Sequence, residues 1–275
     1  MRPNQPSLSP VAAIQHRRSG FTLVELLVVL GVIAVLVGML MPMLNRAREA
    51  GNAIQCASNL RQLLSAMLMY AGENRQYLPP AHLHFYTQNN HRWHGTRASG
   101  QLPFDFSGSP MRKQLGAGRI RSCPGFEFVS GAGFERSAGG YGYNSAFLGS
   151  GLGVPELASL SLPIIEFERR VVNTPAKMTE IRSAADKIAF SDAAIANPNL
   201  IEYSFVTAPL DSDGNPTSPS IHFRHRGQAN IAYVDGHVAA RSMDWTYPVN
   251  VYGADNRKMK LGYVGPRDNS LFRRK

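Results

Sequence analysis

The chain has 275 residues and a formal net charge of +10, with 44% hydrophobic residues. That length supports one or two domains with an ample core. The positive charge admits a nucleic acid or an acidic surface as partner, yet the basic residues are scattered apart from a short Arg273-Arg274-Lys275 tail. Scattered cations of this kind describe a solvated surface and argue against a nucleic-acid face.

The first predicted element is an apolar helix. Arg17-Arg18-Ser19-Gly20 precede an uninterrupted apolar run that starts at Phe21 and reaches Leu44, in which Thr22 and Glu25 are the strongly polar residues. Over that run a helix rises about 36 Å, enough for a hydrocarbon core of about 30 Å. A secretory signal peptide has a shorter apolar region and a small-x-small cleavage site beyond it. Here Met41-Pro42-Met43-Leu44-Asn45-Arg46 offers no such site, and the small pair Ser19-Gly20 lies before the apolar core. A plain anchor accounts for everything except Glu25 and the abrupt Gly20-Phe21 junction. An ionised carboxylate deep in a bilayer costs on the order of 3 kcal/mol, less near an end, unless a partner neutralises it. Cleavage between Gly20 and Phe21 would create an α-amine one helical turn before Glu25, and that cation on a neighbouring copy is a suitable partner.

The sequence G-F-T-L-V-E-L behind basic residues resembles the processing motif of type IV prepilins and type II secretion pseudopilins. The resemblance implies cleavage after Gly20 by a prepilin peptidase, methylation of Phe21, and a role for Glu25 in ordering subunits during assembly. Pro42 falls where that family often carries a helix-kinking proline. The implied partners are the peptidase/methyltransferase, other pilin-like subunits, the membrane, and secretion or pilus assembly machinery. Residues 1–20 are then a basic leader. Its Arg2, Arg17 and Arg18 carry +3, so the chain from Phe21 keeps about +7 of the total +10. A basic leader favours a cytoplasmic N-terminus, and Arg46 and Arg48 oppose it weakly. With the motif deciding, the expected location is a single pass through the cytoplasmic membrane with the head outside the cytoplasm.

After the 21–44 segment, residues 45–74 read as an amphipathic continuation. Ile54, Leu60, Leu63, Leu64, Met67, Leu68 and Ala71 recur at three- and four-residue spacing, and Gly72 with Leu78-Pro79-Pro80 stops the helix. The predicted fold is α+β and pilin-like: a helix of about fifty residues on a small antiparallel β head spanning 75–275. Residues 81–160 read as loops with short strands. Ile164-Ile165, Ile188-Ala189-Phe190 and Glu202 to Val206 read as strands, and Ala208 to Pro219 as a polar turn region. Asn230 to Arg241 reads as a hairpin whose tight turn is Asp235-Gly236. His225, nine residues, then Asp235-Gly236 is similar to the C-terminal element of a large prepilin-like family, the H-x9-D-G group. That resemblance extends to Cys56 through Leu63, Cys123-Pro124, Tyr141 through Asn144 and the Asp192 region.

Three candidate sites follow from residue type. His222, His225, Asp235 and His237 could supply metal ligands, although Asp235 and His237 flank a turn and need not converge. The favoured alternative has Asp235 forming the turn with His225 bonded to it or packed beside it. His82, His84, His91 and His94 form a second cluster, in which the H-x-H pair would share one strand face. Asp211, Asp213 and Asn215 resemble the start of a calcium loop but lack the closing glutamate, and such residues are ordinary turn formers. Cofactors are therefore none, with calcium as the alternative. Cys56 and Cys123 are the two cysteines, and the sequence leaves their pairing open. There is no G-x-S-x-G, P-loop or H-E-x-x-H motif. The expectation is a structural pilin-like subunit, a substrate of an enzyme with no catalytic residues of its own. The alternatives are a competence-type pilin that captures nucleic acid and a membrane-anchored metal-binding protein.

Overall fold

A computed structural model of the chain describes residues 22–100, 102–116, 122–126, 135, 137–153 and 161–275. Gly20 and Phe21 lie outside the described residues. Helix α1 runs from Leu23 to Glu73 with Pro42 inside it, ending beside Gly72 where helix propensity is lost. The chain divides into two units, up to Arg46 and from Ala47 onward.

In the first unit the apolar side chains are exposed, among them Leu23, Leu30, Leu36, Leu40 and Leu44. The helix is apolar on all sides, as a membrane span is and a one-faced surface helix is not. Pro42 has no amide hydrogen to give the Gly38 carbonyl one turn earlier, which weakens the backbone ladder there.

In the second unit α1 buries a stripe formed by Cys56, Asn59, Leu60, Leu63, Leu64, Met67 and Ala71. These positions recur every three or four residues and so share one face. Ile54, expected on that stripe, is 69% exposed. Six residues before Leu60 it sits well over a quarter-turn off the buried line, and Cys56 takes the place on the stripe.

The stripe packs on a four-stranded antiparallel sheet of order β10-β9-β5-β4. Its strands are β4 (Tyr141–Tyr143), β5 (Ile188–Asp192), β9 (Gln228–Tyr233) and β10 (Val238–Ser242). β5 is buried along its whole length, as expected of a central apolar strand that shows no alternation. The register slips between Ile188 and Phe190 where β5 meets β9. Smaller sheets surround this one: β1 (His82–Leu83), β2 (His91–Arg92) and β3 (Gly95–Thr96); β6 (Ile195–Asn197) with β7 (Asn199–Ile201); and β8 (Ile221–His222) with β11 (Leu261–Gly262). Long helix plus small antiparallel sheets is an α+β, pilin-like architecture.

The hairpin at β9–β10 forms, but its connection is a three-residue loop. Tyr233 donates to the His237 carbonyl and Gly236 donates to the Tyr233 carbonyl, so Val234, Asp235 and Gly236 bridge the strands. Only Gly236 has positive φ, at 110°, the conformation glycine adopts without a Cβ penalty. Two expected strands do not form. Ile164–Phe167 is a helical turn that continues as a π turn over Glu168–Val172. Pro163 fixes its start, and Glu166 pairs with Arg169 and Arg170 three and four residues on. Those local terms outweigh the β preference of two isoleucines that stay exposed. Between Glu202 and Val206 there is one isolated bridge, Phe205 to Tyr143.

Candidate functional site

At the N-terminal end of α1, Thr22 and Glu25 form a reciprocal box. The Thr22 amide and hydroxyl donate to Glu25 Oε2 at 2.8 and 2.7 Å, and the Glu25 amide donates to Thr22 Oγ1 at 3.2 Å. This satisfies backbone donors that have no intrahelical acceptor. It also holds the carboxylate at the positive end of the helix dipole. Glu25 lies four residues beyond Phe21 in the sequence, and Thr22 sets the orientation of its carboxylate.

In the second unit, polar contacts tie the helix to the sheet. Asn59 Nδ2 donates to the Tyr141 hydroxyl at 2.8 Å, and Asn230 Nδ2 donates to the Ala53 carbonyl at 3.2 Å. Cys56 and Cys123 form a disulfide with their Cα atoms 5.2 Å apart. His225 Nε2 lies 3.6 Å from Cys123 Sγ and 3.2 Å from Asp192 Oδ2. The Asn230 amide donates to the same Asp192 oxygen at 2.7 Å. All four side chains of this cluster are buried. They come from α1, a loop, the end of β5 and the turn before β9, so no local spacing announces them.

The H-x9-D-G element spans one strand, with His225 before β9 and Asp235 after it. Asp235 does not meet His225. It accepts from the His237 amide and pairs with His237 Nδ1 at 2.7 Å in the exposed loop, while the His237 ring stacks on Tyr233. His222 sits buried on β8, pushed down to about 2 by burial and by Arg224. His222, His225, Asp235 and His237 therefore do not form one ligand set.

The second histidine group also separates. β1 stops at Leu83, and His84 adopts positive φ, so His82 is buried and His84 exposed. Burial and then the Arg92 charge push His82 down to about 3. His94 lies beside an ion pair that the sequence does not announce: Arg92 with Glu135, both fully buried, at 2.7 Å. Ser204 also donates to Glu135, and the guanidinium lies over the rings of Phe85, Phe104 and Phe205. Burial pushes the Glu135 carboxyl up, but His94 and Arg92 outweigh it and hold it at about 2.

The Asp211 carboxylate is used by its own loop. Oδ1 accepts from the Asp213 and Asn215 amides at 2.9 and 2.8 Å, the geometry of an Asx turn. An open cleft of about 350 Å³ lies beside α1, lined by Glu49, Ala53, Ile54, His225, Arg226 and Ala240.

The family model described as the prokaryotic N-terminal methylation motif matches residues 15–41. No curated protein and no solved structure matches the chain. The matched stretch contains Gly20, Phe21 and Glu25 and most of the exposed apolar part of α1, and it supports a prepilin-type protein anchored in a membrane by a single N-terminal helix.

Proposed function

We propose that this chain is a structural subunit of a type II secretion-like or type IV pilus-like filament. Prepilin peptidase cuts it after Gly20, Phe21 becomes the methylated terminus, and the apolar half of α1 passes from bilayer to filament core. The N-terminus starts in the cytoplasm and the head stands outside it. The methylation-motif match over residues 15–41 carries this reading. The exposed apolar surface of the matched helix supports it, because those side chains have neither core nor partner within their own unit.

Glu25 has two successive partners in this scheme. Before assembly it is held by Thr22, which lowers the cost of keeping a carboxylate near the membrane. During assembly it meets the Phe21 amine of a neighbouring copy, a charge-assisted contact stronger than the neutral ones it supplements. Glu25→Ala should insert into membranes at wild-type level while its recovery in sheared or cross-linked filaments falls at least tenfold. Unchanged incorporation would remove Glu25 from the assembly step.

A further inference from the structure

Among the described residues, one group of side chains has the composition and closeness of a metal site: Cys56, Cys123, Asp192 and His225, with ligand atoms all within 4.8 Å of one another. We propose that the dithiol form of this chain binds one divalent transition-metal ion of the zinc class there, and that the disulfide is the oxidised, metal-free form of the same site.

The donor set is two thiolates, an imidazole nitrogen and a carboxylate oxygen, which suits tetrahedral Zn²⁺. A second, independent observation points to a cation. Asp192 Oδ1 is buried and has no hydrogen-bond partner, although Asp192 itself is fully buried. A buried carboxylate oxygen without a donor is costly. Asp192 Oδ2 is meanwhile fixed by the Asn230 amide, the kind of outer contact that orients a ligand. The charges also balance. Two thiolates and Asp192 carry −3, and the metal with half-buried Arg224, which lies within electrostatic reach of Asp192, carries +3. With the disulfide closed, Asp192 and Arg224 balance alone.

The exchange between the two forms is a two-electron step. The metal-bound thiolates give up two electrons to an external disulfide, which takes two protons and leaves as two thiols. The Cys56–Cys123 bond forms and the divalent ion departs. In the reverse direction a dithiol reductant opens the bond, the two thiol protons are lost to solvent, and the sulfurs separate to the roughly 3.8 Å that two thiolates span on a tetrahedral ion. His225 Nε2 then offers its lone pair to the metal while the ring proton sits on Nδ1. The cleft that reaches His225 gives the ion a path.

The test uses the full chain in detergent, reduced with a phosphine under anaerobic conditions and titrated with Co²⁺ as a spectroscopic probe. One equivalent should bind, with thiolate-to-cobalt charge-transfer absorption and the visible bands of a tetrahedral ion, and Zn²⁺ should displace it. Asp192→Asn keeps an acceptor for Asn230, and with His225→Ala it should weaken Co²⁺ binding at least tenfold. The air-oxidised chain should bind none, and glutathione disulfide should release the ion as the protein disulfide forms. The proposal is overturned if the reduced chain, folded by circular dichroism, binds no cobalt. It is equally overturned if binding and spectrum are unchanged in both variants, or if the ion stays bound after the disulfide has closed.

Discussion

The Arg92–Glu135 pair shows what single residues decide in this head. Neither side chain is reachable by solvent, and each is satisfied by several partners. Removing one member of a buried pair leaves the other charge uncompensated, at a cost of about 3–5 kcal/mol. Arg92→Ala should therefore lower the unfolding free energy read from urea denaturation by that amount, and a loss below about 1 kcal/mol would contradict the assignment. The pair was not legible in the sequence because its residues lie far apart in a segment without periodicity. The same holds for Asp192 and His225, which converge only when β5 and β9 pair. Glu25 was legible because its helix is local and its surroundings apolar. Its box with Thr22 is equally local, because Thr22 and Glu25 stand at the S/T-x-x-E spacing of a capping box.

Among elements, α1 and the β9–β10 hairpin were readable because each has a strong local signal: long apolar and amphipathic runs in one, Asp-Gly between extended segments in the other. β4 pairs with β5 and β8 with β11 across about forty residues or more, and no local pattern specifies such partners. Ile164-Ile165 misled for the opposite reason, because Pro163 and the Glu166–arginine pairs outweighed a two-residue β preference. Two predictions belong here. Gly236→Val places a β-branched residue at φ 110° and should destabilise the head by about 1–3 kcal/mol, read as a lower chemical-denaturation midpoint; an unchanged midpoint would mean the loop is not fixed by that residue. The Cys56–Cys123 bond closes a loop with a sequence separation of 67. Its loss in Cys56→Ser/Cys123→Ser should cost about 4 kcal/mol by chain entropy, and equal stability of the oxidised wild type and the variant would refute that contribution.

For the molecule as a whole, the buried histidines set a pH dependence. Burial lowers His82 to about 3 and His222 to about 2, and it lowers His94 as well. A histidine held neutral in the fold takes up its proton more readily once unfolded. Its contribution is whole above the ordinary value of 6.5 and is lost as pH falls below it, at up to about 1.4 kcal/mol per pH unit for each group. Glu135, held at about 2, acts in the same direction below 4.5. The midpoint should thus fall steadily from pH 7 to pH 4, and a flat or rising profile would contradict the neutral assignments. The whole chain then combines an acid-sensitive head with an apolar anchor that, in the proposed function, packs against copies of itself. In the proposed function the anchor becomes competent for that packing only after cleavage at Gly20. Intact mass spectrometry of the native protein should find a chain beginning at a methylated Phe21, and a chain that keeps residues 1–20 with no methyl group on Phe21 would rule this processing out.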